Sequence, residues 1–135
     1  MIESAEEFVQ LRKSGDGSDY RRLKKDRAPA EVWRELVANH PDTRFWVAFN
    51  RTVPADVLRQ LAKDADWRVR DKVAGRSDTP ADVLGELARD AHDAVVSSVA
   101  GNPSTPEEAL LILAAHPWDQ VSDTAQRLLA DGGRR

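Results

Sequence analysis

Apolar positions along this chain recur in short helical runs, punctuated at regular distances by proline and aspartate. The segment PADVLRQLAKDADWRVRDKVAG from Pro54 returns from Pro80 as PADVLGELARDAHDAVVSSVAG and from Pro106 as PEEALLILAAHPWDQVSDTAQR, each time 26 residues on. After the prolines, the same offset relates Leu58, Leu84 and Leu110, then Leu61, Leu87 and Leu113, then Ala62, Ala88 and Ala114. It also relates Val69, Val95 and Val121, and finally Val73, Val99 and Ala125. Self-similarity at a fixed period of this size is the mark of a stacked-repeat architecture. An earlier unit, PAEVWRELVANHPDTRFWVAFN from Pro29, fits at 25 in its first half (Leu36 to Leu61) and at 26 in its second (Val47 to Val73), so its internal turn is one residue shorter.

Each unit reads as two helices. Thr79-Pro80-Ala81-Asp82 and Thr105-Pro106-Glu107-Glu108 suggest a threonine N-cap, a proline at the first helical position and an acidic group in the first turn. Leu84, Leu87 and Ala88 then fall on one helical face. The first helix should stop near Asp64, Asp90 or His116, and the second should start around Asp66, Asp93 or Asp119. Val69 with Val73, and Val95 with Val99, share a side of that second helix. Gly75 and Gly101 follow Val-Ala, where a left-handed C-cap residue is expected. At roughly ten residues each, such helices are too short to stand alone in water. They must therefore bury their Leu and Val side chains against neighbouring units, at about 1.5–3 kcal/mol per side chain.

The ends differ from the repeats. Residues 3–13 predict a helix offering Phe8, Val9 and Leu11 for packing, 14–19 (SGDGSD) a loop, and Tyr20 to Asp26 a second helix. At the other end Gln126 replaces the small residue of Ala74 and Ala100, as suits a unit on which nothing further stacks. The expected organisation is an N-terminal helical cap over 1–28, a repeat array over 29–130 with units starting near Pro29, Pro54, Pro80 and Pro106, and a flexible tail over 131–135.

Composition narrows the chemistry. With 135 residues, 41% hydrophobic and 32% charged, the chain has the make-up of one folded domain. The absence of cysteine excludes disulfides, thiolate zinc sites, cysteine nucleophiles and cysteine-ligated iron–sulfur clusters. No run approaches the length of a membrane span, and the acidic start MIESAEEFVQLRK lacks the apolar core of a leader, so a cytoplasmic protein is expected. The net charge of −3 is unevenly spread: residues 1–78 carry 16 basic and 14 acidic groups, residues 79–135 only 4 and 9. In a linear stack this gives a mildly basic end and an acidic end.

The text T-P-x-x-x-L-x-x-L-A-x-D-x-x-x-x-V-x-x-x-V-A, carried here by Thr79-Pro80, Leu84, Leu87-Ala88, Asp90, Val95 and Val99-Ala100, resembles the leucine-rich repeat variant family. The resemblance spans residues 29–126. It implies an all-α fold: a right-handed α-solenoid, related to HEAT and armadillo arrays, of about four two-helix repeats in which α-helices alternate with shorter, often 3₁₀, helices. The 26-residue period is long for the family, which points to a fuller second helix. Glu7 to Val53 also looks like small bacterial repeat proteins of this kind. Some members hold iron and sulfur through an N-terminal cysteine cluster, which a chain without cysteine cannot do.

No constellation of catalytic residues recurs. His40 and His116 precede proline at the inter-helix turn, where Asp64 and Asp90 stand in other units, so the histidines read as turn residues. Gly15 and Gly17 lack the strand-to-helix context of a phosphate loop. The expectation is a non-enzymatic module, a monomer without cofactor or metal, that binds another protein on a concave face lined by second helices. Trp33 aligns with the core leucines, but Trp46 and Trp67 occupy columns that are polar elsewhere. With Arg44, Arg68, Arg70 and Lys72 they form the expected partner-binding set, exposed tryptophan being enriched at binding hot spots. Local packing is the competing reading for the tryptophans, and for Arg70 a ladder with Asp64 or Asp90 of the next unit. The alternative partner is nucleic acid or another anion, held by Arg21, Arg22, Lys24, Lys25 and Arg27.

Overall fold

The structure, a computed structural model, describes residues 1–132; the last three residues of the expected tail lie outside it. Among the described residues there are ten α-helices, one 3₁₀ turn and no strand. The chain divides into two compact units, Met1–Leu61 and Ala62 to the C-terminus.

The first unit contains α1 (Ala5–Ser14), α2 (Gly17–Lys25), α3 (Ala30–Asn39), a 3₁₀ turn (Pro41–Thr43), α4 (Arg44–Phe49) and α5 (Ala55–Leu61). Helices α1, α3 and α5 pack in one row, while α2 packs against α4. Phe8 and Trp33, both buried, meet edge to face at 5.7 Å between α1 and α3, an arrangement aromatic quadrupoles favour. The shortened turn of this unit is the 3₁₀ turn, closed by the Thr43 hydroxyl donating to the His40 carbonyl at 2.7 Å. The leading helix pair is thus packed as a repeat would be, α1 beside a first helix and α2 beside a second.

The second unit contains α6 (Trp67–Ala74), α7 (Ala81–Leu87), α8 (Asp93–Gly101), α9 (Glu107–Ala114) and α10 (Asp119–Asp131). Here α6, α8 and α10 pack side by side in one layer and α7 against α9 in the other. Val69, Val73, Val95, Val99, Val121 and Ala125 face the space between the layers and are buried, as are Leu84, Leu87, Leu110 and Leu113. The second helices are full α-helices, as the long period implied, and α10 continues through Asp131 to a left-handed Gly132 (φ 62°).

Three local expectations are corrected. Thr79 and Thr105 do not cap the helices that follow them. Pro80 and Pro106 occupy the cap positions, their carbonyls accepting the first helical amides, and neither cap uses a side chain. The threonine hydroxyls turn backwards instead, donating at 2.6 Å to the carbonyls of Val73 and Val99 at the ends of α6 and α8. That also corrects the glycines. Gly75 has φ −88° and Gly101 is the last residue of α8, so neither is left-handed. Side-chain donors already satisfy terminal carbonyls there, which removes the need for a Schellman turn. Finally, α2 begins at Gly17 rather than Tyr20. The Asp16 carboxylate accepts from the amides of Ser18 (2.7 Å) and Asp19 (3.4 Å) and starts the helix inside the expected loop.

Candidate functional site

The turns of the second unit are built on one device. The Asp64 carboxylate accepts from the amide of Asp66 at 2.9 Å, and that of Asp90 accepts from His92 at 3.0 Å. At the same column His116 Nδ1 accepts from Trp118 at 3.0 Å. One step later the Asp66 carboxylate and His92 Nδ1 accept from Arg68 (2.9 Å) and Ala94 (3.1 Å), capping α6 and α8. These imidazoles are standing in for carboxylate oxygens, which gives them a structural task. The His40 carbonyl accepts the Thr43 amide in the corresponding turn of the first unit.

Of the expected partner-binding residues, α6 carries Trp67, Arg68, Arg70 and Lys72, while α4 carries Arg44 and Trp46. Arg70 is the residue most committed to structure. Its guanidinium grips the Asp90 carboxylate through Nε (2.8 Å) and Nη2 (3.1 Å), and Nη1 donates to the Asp64 carbonyl at 2.8 Å. One side chain therefore fixes its own turn and ties it to the next. Arg44, one period earlier, donates from Nε to the Val37 carbonyl at 2.8 Å and does the same for its turn. Between α6 and α8 the Ser98 hydroxyl donates to the Asp71 carboxylate.

Burial alone would raise the Asp90 carboxyl, but the Arg70 guanidinium and the His92 amide outweigh it and hold the group below its ordinary value. A carboxyl depressed in the fold stabilises the protein above its unfolded pKa and loses that contribution as pH falls through the folded one. Arg70→Met should therefore be most destabilising near neutrality, with the gap to the parent protein narrowing below about pH 4. Urea melts of both proteins across that range would decide it, and a gap independent of pH would count against the pairing.

Arg68 and Trp67 remain at the surface. The Arg68 side chain is 68% exposed and folds back on Asp66, at 3.1 and 3.0 Å, which holds that carboxyl low. Trp67 is 38% exposed and lies flat on His92, ring centroids 4.1 Å apart and 12° from parallel.

In the first unit Trp46 is half-buried, contrary to its polar column. It sits among Phe45, Phe49 and Tyr20 at centroid distances of 5.2, 5.5 and 6.5 Å, with the Arg12 guanidinium 5.2 Å over its ring. The basic run is similarly absorbed in part. Arg22 donates to Asp26 and Glu7, both at 2.8 Å, and the Lys24 ammonium lies 5.7 Å over Phe49. Arg21, Lys25 and Arg27 are exposed.

Two buried asparagines were not singled out by sequence. Asn50 Nδ2 donates to the carbonyls of Leu23 and Asp26 beyond α4, while its Oδ1 accepts the Thr52 amide. Asn102 Nδ2 donates to Ala74 and Arg76 at 2.7 and 2.8 Å, while its Oδ1 accepts the Ser104 amide at 2.8 Å. They lie two periods apart, and each ties the end of a second helix to the end of the one before it.

Among the described residues no group of three or more His, Asp or Glu is placed to hold a metal ion, and no helix is long and apolar enough to cross a membrane. No curated protein and no solved structure matches the chain. Residues 67–92, one full period from the start of α6 through α7 to the turn before α8, match the family model of the leucine rich repeat variant. With its paired helices and recurring buried columns, this all-helical chain carries a leucine rich repeat variant unit over residues 67–92.

Proposed function

We propose that the protein is a non-enzymatic binding module, a right-handed solenoid of about four 26-residue units that recognises another protein through its second helices. The observation that carries this reading is the Trp67–Arg68 pair at the start of α6. His92 packs on the indole, which is still 38% exposed, so the ring is held without a partner's help. Arg68, held by Asp66, sets an oriented cation beside it. Rigid, exposed aromatic and arginine side chains lose little entropy on binding and dominate interface energetics. Arg44, Arg70 and much of Trp46 serve the scaffold and contribute through the shape they hold.

The test is affinity capture from native lysate with the parent protein, Trp67→Ala and Arg68→Glu, each with and without nuclease. A partner retained by the parent after nuclease treatment and lost by both variants is the expected result. Equal recovery with both variants removes this face from consideration. The phosphate-binding alternative predicts recovery that depends on nucleic acid and falls steeply with salt. Intramolecular engagement of Arg22 and Lys24 makes it the weaker reading. The protein is taken to act as a cytoplasmic monomer.

A further inference from the structure

A recess of 260 Å³ opens among α1, α2 and α4 of the first unit. Leu11, Leu23, Tyr20 and Trp46 give it apolar walls, and Arg12 lies across the indole. Gly15 and Gly17 stand at its edge without side chains. Gly15 needs to be glycine, since its φ of 74° is left-handed, but Gly17 does not. Its φ is ordinary and a Cβ there would meet nothing within 4 Å. A side chain at that position would extend from the rim of the recess into open space. The aromatic wall is fixed in advance: Trp46 is clamped by Phe45 and Phe49, while Tyr20 remains 47% exposed.

Size and charge select the occupant. The volume lies below the roughly 300–1,000 Å³ of small-molecule pockets and suits a single large side chain. Of the helices that form it, α1 ends in Arg12 and Lys13, and α2 carries Arg21 and Lys25 against one acidic residue, Asp19. The nearest acidic group, Asp16, is occupied as the α2 cap by the Ser18 amide and hydroxyl and the Asp19 amide.

We propose that this recess is an anchor pocket, taking one aromatic side chain from an acidic segment of a partner protein. The segment's carboxylates would meet the cations of α1 and α2, and its ring would pack on Tyr20 and the Arg12–Trp46 stack. The inference rests on the protein-binding reading but places a second contact on residues other than Trp67 and Arg68.

The probe is a short synthetic peptide of Asp and Glu around one central Phe, titrated into the full chain and followed by amide and indole NMR shifts. Shifts should concentrate at Gly15, Gly17, Tyr20 and the Trp46 indole. Replacing the peptide's Phe with Ala should weaken binding about tenfold or more. Gly17→Leu, which adds bulk at the rim where a Cβ meets nothing within 4 Å, should do likewise while keeping the parent melting temperature. Arg12→Glu should also weaken it, and Trp67→Ala should leave it unchanged. Shifts elsewhere, undiminished binding to Gly17→Leu or by the Ala peptide, or stronger binding of oligothymidylate at the same amides would overturn the proposal. Failure of the peptide while capture still depends on Trp67 discards the recess alone, whereas a parent protein that captures no protein partner discards the wider reading.

Discussion

Leu87→Ala should lower the unfolding free energy by about 2–5 kcal/mol. Leu87 is 3% exposed on α7, a helix that packs against α6, α8 and α9 of its unit. Truncation removes the transfer energy of the lost methyl groups and leaves a cavity walled on three sides by other helices. The position within the range depends on how far those walls collapse. A seven-residue helix has little stability of its own, so the lost contacts cannot be replaced locally. The control is Leu111→Ala, the same chemical change on α9 at a side chain 58% exposed, which should stay within about 0.5 kcal/mol of the parent. Urea denaturation would measure both. A change of only a few tenths at Leu87 would show that the apolar columns are wrongly registered.

Asn102→Asp should be nearly as damaging, at about 2–4 kcal/mol near neutral pH, although it alters one atom's chemistry and almost no volume. The buried amide gives its two hydrogens to the carbonyls of Ala74 and Arg76. A carboxylate keeps the bond to the Ser104 amide but loses both donors and sets a negative charge against two carbonyl oxygens. Acidification should restore part of the loss, because a protonated carboxyl regains one donor. Denaturation near pH 7 and near pH 4 separates this from a packing defect, which would be insensitive to pH. Parent-like stability at neutrality would mean that the asparagine does not bridge the helix ends.

The apolar skeleton was readable from spacing because burial acts on every unit alike. Leu58, Leu84 and Leu110 carry one role in three places and are all buried. Polar bridges were harder to read. The asparagine column is interrupted by Arg76, which makes its own ion pair with Asp78 at 2.7 Å, so comparison one period apart shows no recurrence. The threonines were seen, but their hydroxyls bond to a carbonyl six residues back rather than to an amide ahead, a choice set by where the previous helix ends. Part of the cover over Trp46 comes from Tyr20 and Arg12, in a segment outside the repeat pattern, which no internal alignment could anticipate. Arg70 was assigned two roles by sequence, and the grip on Asp90 favours the ladder.

The bonds from Asn50 to the carbonyls of Leu23 and Asp26 bear on how the chain can be cut and extended. Deleting the opening helix pair as though it were a detachable leader would strand a buried amide and uncover the indole of Trp33 against which Phe8 rests. A trimmed version would need a substitute at both places, such as a serine for the amide and a smaller, more polar residue for the ring. Anyone lengthening the protein by duplication would do better to insert whole periods downstream and leave its first two helices in place.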